Sequence, residues 1–251
     1  IMVILKLPEE IERARASNRI VAEVLSRLRE KVKPGVKTKD LDKFAEEIAE
    51  KRGARPAFKG YHGYPHSLCV SINEVVVHGM PSERVLEEGD IVGLDFGVFY
   101  QGFFGDATVT LPVGKVTAKA LRLMQVTEQS LYAGIAQARE GNRLGDISAA
   151  VQSVVEEAGY SVVRDFVGHG IGKDLHEEPQ IPNFGQKGRG IELKKGMILA
   201  IEPMVNEGKY KVQVLPDGWT VVTKDGSLSA HFEHSIAITE HGPDILSRLN
   251  Y

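Results

Sequence analysis

Cysteine is almost absent from this chain of 251 residues: Cys69 stands alone. A single thiol excludes an internal disulfide and any zinc site built on paired cysteines. Long apolar runs are missing as well, none approaching the roughly 20 residues that a helix needs to cross a bilayer. The opening stretch 1–7 is too short for a secretory signal and runs straight into a charged helical pattern. Nor is there an excess of one charge. Lys and Arg number 31 against 34 Asp and Glu, a formal net charge of −3, and the basic residues are mixed among the acids. Direct nucleic-acid recognition needs a basic stripe, so none is expected. What remains is a chain that is 42% hydrophobic, enough for a substantial core. The composition leads to the expectation of a soluble, cytoplasmic globular protein.

The chain also repeats itself. Pro34-Gly35, Asp40-Leu41, Ile48-Ala49-Glu50 and Gly53 recur, at one constant offset, as Glu140-Gly141, Asp146-Ile147, Val154-Val155-Glu156 and Gly159. Each set reads as a helix. Leu41, Phe44, Ala45 and Ile48 fall on one face, as do Ile147, Val151, Val154 and Val155, and a glycine follows each last turn. Further on, Gly89-Asp90-Ile91-Val92-Gly93-Leu94-Asp95 corresponds to Gly196-Met197-Ile198-Leu199-Ala200-Ile201-Glu202. Asp95 and Glu202 are thus equivalent, each a carboxylate at the end of an apolar strand. Duplication accounts for a helix, a glycine and a strand-borne acid in register. The expected fold is α+β: a single catalytic domain of two pseudo-twofold-related halves, 1–113 and 114–251. Strands are expected over 68–77, 91–96, 107–111, 197–201, 211–215 and 235–238, and long helices over 9–32 and 117–138.

The strand-borne acids are out of place on ordinary grounds. Asp95, Glu202 and Glu233 sit in apolar segments without a basic residue. Burying an unpaired carboxylate costs several kcal/mol even after relaxation. One such acid could have a distant Lys or Arg partner; for three, a shared cation is the simpler explanation. Asp106 follows Asp95 across Gln101-Gly102 and Gly105, as two antiparallel strands would require to bring both acids to one end of a sheet. His169 stands between glycines in Val167-Gly168-His169-Gly170-Ile171-Gly172. A lone histidine is more often structural, but flanking glycines that permit close backbone approach favour a ligand. Asp95, Asp106, Glu202 and Glu233 carry four negative charges, which two divalent cations would balance. Oxygen donors with one imidazole suit Mn, Fe(II) or Co at least as well as Zn.

Further segments complete a pattern: Gly60-Tyr61-His62-Gly63-Tyr64-Pro65, Cys69-Val70-Ser71-Ile72-Asn73-Glu74-Val75-Val76-Val77-His78-Gly79-Met80-Pro81, His176-Glu177-Glu178-Pro179-Gln180, Ile201-Glu202-Pro203-Met204 and Phe232-Glu233-His234. In this order they resemble the methionine aminopeptidases of the pita-bread metallopeptidases, across essentially the whole chain. The likeness is to the type I, bacterial-type members, since no long insertion separates His169 from Glu202. It implies a pita-bread fold, two halves around a curved antiparallel sheet, and removal of the initiator methionine when the second residue is small. It also implies two divalent ions (Co, Mn or Fe(II) ahead of Zn or Ni). Asp95 and His169 would each bind one ion, Asp106 and Glu233 both, and Glu202 would complete the second site. Glu202 would act as proton acceptor, His176 as donor to the tetrahedral oxygen, and His78 would bond the scissile amide. Tyr61, Tyr64, Cys69 and Trp219 would line the methionine pocket together with His78 and His176. Asn73, Val75 and Ser229 match a Na or K site of relatives. Leu175 departs from the pattern, where many members carry Phe, and touches only the pocket lining. The implied partners are nascent polypeptides, with transient ribosome association, and the chain is expected to be monomeric. Two rivals share the fold: a proline-specific peptidase of the aminopeptidase P or prolidase kind, and a non-catalytic peptide-binding protein. The Cys69–Pro81 segment argues against the first, and the full complement of five candidate ligands against the second.

Overall fold

Pro8 opens the first helix, at a position where its missing N–H costs nothing, and α1 runs Pro8–Lys31. Glu9 and Glu10 in the first turn and Arg29 and Lys31 in the last complement the helix dipole. α2 (Thr38–Lys51) follows. In the second half, α3 (Ala118–Gln137) starts where Thr117 accepts a hydrogen bond from the Ala120 N–H, and α4 is Leu144–Glu157. The computed structural model describes residues 3–248; Ile1 and Met2 of the opening stretch and the last three residues lie outside it. Among the described residues, no helix is long and apolar enough to cross a membrane.

The strands are β1 (Arg55–Pro56), β2 (Leu68–Ile72), β3 (Val75–Val77), β4 (Ile91–Tyr100), β5 (Phe103–Pro112), β6 (Ser161–Val162), β7 (Gly168–Gly170), β8 (Glu177–Ile181), β9 (Ile198–Ile201), β10 (Met204–Asn206), β11 (Val212–Val214), β12 (Val221–Thr223), β13 (Ser229–His231), β14 (Glu233–Thr239) and β15 (Gly242–Ile245). Nine of them form one curled antiparallel sheet in the order β1-β4-β5-β14-β9-β7-β8, with β2 beside β4 and β15 beside β14. Two small sheets, β13-β10-β6 and β11-β12-β3, flank it.

Two expectations need correction. The single strand over 68–77 is broken: Asn73 adopts a left-handed φ of 55°, which asparagine tolerates, so β2 joins the large sheet and β3 a small one. Asp95 is not at a strand end either. β4 continues to Tyr100 because Phe96 and Val98 are buried, and it turns into β5 through Gln101-Gly102, both left-handed, as a two-residue hairpin requires.

Strand alternation decides which face is wet. Val92, Leu94, Phe96 and Val98 of β4 and Ala107, Val109 and Leu111 of β5 share one core with α1 and α2. Leu199, Ile201, Ile236 and Ile238 share the other core with α3 and α4. With side chains alternating across the sheet, Asp95, Asp106, Thr108, Glu233 and Ser235 must point to the opposite, concave face.

Candidate metal centre

On that face the register gathers the acids. Asp95 is opposite Thr108 and Gly97 opposite Asp106 across β4 and β5, so the two aspartates are diagonal neighbours. Glu233 of β14 pairs with Thr108, whose hydroxyl donates to Glu233 Oε2 at 2.9 Å. Glu202 follows β9, and its Oε1 lies 3.5 Å from His169 Nε2. Asp106, His169 and Glu233 each offer one ligand atom within 4.8 Å of the others.

His169 occupies a short strand, β7, rather than a loop. The glycines beside it are needed there: a Cβ on Gly168 would stand 2.4 Å from the Ala200 carbonyl oxygen, and one on Gly170 2.3 Å from that of Glu178. The carbonyl of Gly170 accepts from His169 Nδ1 at 2.9 Å. A carbonyl cannot donate, so the proton sits on Nδ1 and the Nε2 lone pair faces the acids.

The donor set fits divalent cations. Asp95 Oδ1, Asp106 Oδ1 and Glu233 Oε1 are buried with no hydrogen-bond partner, and among the described residues none of the four acids pairs with Lys or Arg. Burial, reinforced by the neighbouring carboxylates, pushes Asp106, Glu202 and Glu233 well above the usual carboxylate range, and burial raises Asp95 too. Burial lowers His169 to about 3, keeping it neutral. Four carboxylates that resist carrying their charges together, faced by an imidazole lone pair, call for positive charge among them.

The centre opens into a cavity of about 290 Å³. Tyr61, Tyr64, Cys69, His78, His176 and Trp219 all line it. The Tyr64 hydroxyl donates to the Gly79 carbonyl at 3.0 Å, and its ring meets Trp219 edge-on at 5.1 Å. Burial pushes the Cys69 thiol up, so it behaves as a small apolar wall. His176 Nδ1 lies 2.7 Å from the Tyr61 hydroxyl, and its ring is 4.3 Å from that of His169. His78 holds a left-handed φ of 58°, backbone strain of the kind that functional positions retain. Burial lowers its pKa to about 4. Away from the centre, Asn73 accepts the Ser229 N–H on its backbone oxygen at 2.8 Å, while Val75 begins β3 two residues on.

Sequence reasoning missed several participants. His231 Nε2 lies 3.4 Å from Glu202 Oε2, fully buried and without a hydrogen bond. Its place two residues before Glu233 was the available signal. Thr108, the partner of Glu233, was hidden among β-forming residues. Phe58 and His62 also line the cavity.

Comparison with known proteins follows the same lines. Residues 12–240 match the model of metallopeptidase family M24. The chain is 53% identical over 246 residues to a methionine aminopeptidase of Clostridium perfringens, covering 98% of this chain and 99% of that one. The crystal structure of a methionine aminopeptidase from Thermotoga maritima superposes with a TM-score of 0.97 at 49% identity, covering 98% of this chain and all of that one. A prolidase from Pyrococcus furiosus gives a TM-score of 0.80 at 22% identity, over 99% of this chain and 66% of that one, a likeness of fold alone.

Proposed function

This chain belongs to metallopeptidase family M24, among its methionine aminopeptidases, and from that premise we propose how its residues release an N-terminal methionine. The observation that carries the assignment is a buried cluster of unpartnered carboxylates and one imidazole at the floor of a pocket walled by Tyr64, Cys69 and Trp219. Two divalent ions would be held here by Asp95, Asp106, His169, Glu202 and Glu233: Asp95 and His169 would each serve one ion, Asp106 and Glu233 would be shared, and Glu202 would complete the second site. Co, Mn or Fe(II) suits this set best, ahead of Zn or Ni. Bound there, the ions supply Lewis-acid polarisation of the scissile carbonyl and a water acidic enough to attack near neutral pH.

The rest belongs to the side chains. Glu202 accepts the proton of the attacking water. Tyr61, whose hydroxyl stays protonated because burial raises its pKa, donates to His176 Nδ1; the His176 proton then sits on Nε2 and faces the carbonyl oxygen as charge develops. Neutral His78 hydrogen-bonds the scissile amide. Tyr61, Tyr64, Cys69 and Trp219 enclose the methionine side chain, and Asn73, Val75 and Ser229 would hold a Na or K ion. The chain is a single catalytic domain of two halves, 1–113 and 114–251. It works as a monomer in the cytoplasm on nascent polypeptides, in transient contact with the ribosome.

A proline-specific activity is not favoured, because the 22% likeness to prolidase concerns the fold, whereas the relative at 53% is a methionine aminopeptidase. After chelation and metal add-back, Met-Ala-Ser should lose its methionine, while Met-Lys peptides and formyl-Met-Ala-Ser should be spared. Comparable rates on Met-Ala-Ser and on Xaa-Pro peptides would move the assignment to the proline peptidases.

A further inference from the structure

Outside the metal centre, a charged pair is buried where nothing in the chemistry above requires one. Lys6 and Glu177 form an ion pair with side chains only 3% and 5% exposed. Lys6 belongs to the segment ahead of α1 and is fixed there twice: its N–H donates to the Gly196 carbonyl at 2.7 Å, and its ammonium to the Ile4 carbonyl at 3.1 Å. Glu177 directly follows His176. Its Oε1 accepts the backbone N–H groups of Lys173 at 2.8 Å and Asp174 at 3.4 Å, while Oε2 takes the Lys6 ammonium. One carboxylate therefore ties both ends of the turn 173–176 to a cation 171 residues earlier in the chain.

The backbone is shaped around this pair. A Cβ on Gly172 would stand 2.5 Å from both Glu177 Oε1 and Lys6 Cε, so no larger residue fits while the pair is in place. The carbonyl of Gly172 accepts the Phe104 N–H at 2.7 Å, which anchors the start of the same turn to β5. Burying an ion pair costs more desolvation than a well-packed apolar pair of similar volume, so stability alone is a weak reason to keep one, whereas a fixed geometry is a good one.

We infer that Lys6 is a positioning residue for His176, acting through Glu177 and the turn 173–176 to hold the imidazole against the Tyr61 hydroxyl and over the pocket. This rests on the donor role proposed for His176. A donor that is off by about an ångström can lose on the order of 10²-fold in rate.

The test is a double-mutant cycle on the metal-loaded enzyme with Met-Ala-Ser as substrate. Lys6→Met should lower kcat by roughly 10- to 100-fold with KM and metal content nearly unchanged. In a His176→Ala background the same substitution should have almost no further effect on kcat. Lys6→Arg, which keeps the charge, should recover most of the loss. Glu177→Gln, which keeps the shape but removes the charge, should behave like Lys6→Met and serves if Lys6→Met does not fold. The ¹⁵N shifts of the His176 ring should move in both variants. Equal losses of kcat in the two backgrounds, or a lowered melting temperature with kcat intact, would overturn the inference. His176→Ala with wild-type kcat would overturn the donor role itself, and the positioning of that donor with it.

Discussion

At the scale of single residues, His169 and His176 should separate cleanly. His169 presents a lone pair fixed by the Gly170 carbonyl, while His176, 2.7 Å from the Tyr61 hydroxyl through Nδ1, is the proposed donor. Loss of a ligand weakens ion binding, so excess metal should partly rescue His169→Ala. Loss of an oxyanion donor raises the barrier itself, by about 10²–10³ in kcat. His176→Ala should therefore bind metal nearly normally, keep its KM and stay slow at every metal concentration; recovery to the wild-type rate in excess metal would make it a ligand instead. Asp106→Asn should abolish turnover and lower metal stoichiometry while the fold survives, because it removes one of four mutually repelling carboxylates. Mass spectrometry under native conditions reads the stoichiometry directly, and full metal content with normal activity would sink the two-ion assignment.

At the scale of elements, the glycines around β7 set a tolerance that the ligands inherit. Gly170→Ala would force a methyl into the Glu178 carbonyl, separating β7 from β8 and carrying His169 with it. About 1–3 kcal/mol of stability should be lost, together with metal affinity. Urea denaturation and a metal titration would measure both, and unchanged affinity at reduced stability would show that β7 can shift without moving the imidazole. The sequence made these elements legible where a period was long enough to read. α1 and α3 lie within a residue of the expected 9–32 and 117–138 because their apolar faces recur over many turns. The inward acids were visible as odd members of apolar strands. Short strands such as β6, β7 and β13 were not, since two or three residues carry no period. The break at Asn73 depends on a tolerance for left-handed backbone that becomes visible only once β2 and β3 are seen in different sheets. For His231 the sequence offers only its place two residues before Glu233; its nearness to Glu202 joins β13 to the end of β9, a long-range proximity that appears only in the fold.

At the scale of the whole molecule, the cluster couples metal content to acidity. The pKa values of Asp106, Glu202 and Glu233 are raised in the folded, metal-free protein. Unfolded carboxylates titrate near 4, so the contribution of these groups is complete below about pH 4 and is lost as pH rises through their folded values. The melting temperature of the chelated wild-type protein should therefore fall relative to chelated Asp106→Asn as pH rises from about 4 through neutrality. Added metal should reverse the trend, stabilising more at higher pH because ions and protons compete for the same oxygens. Differential scanning fluorimetry across that range checks both, and a difference between the two proteins that does not vary with pH would count against the cluster as the source.

The strand order has a consequence for how the molecule is made. β14 lies in the middle of the large sheet, between β5 and β9, although it is among the last strands in the chain. A chain leaving the ribosome from its N-terminus exposes β5 and then β9 as two open edges, and neither can pair with β14 until residues 233–237 have emerged. During that interval the nascent chain presents unpaired strand backbone, the template on which aggregation starts. Glu233 rides on the same closing strand, so a truncated or stalled chain would be both sticky and unable to complete its ligand set. One strand, β14, thus both joins the two parts of the sheet and brings Glu233 to the site.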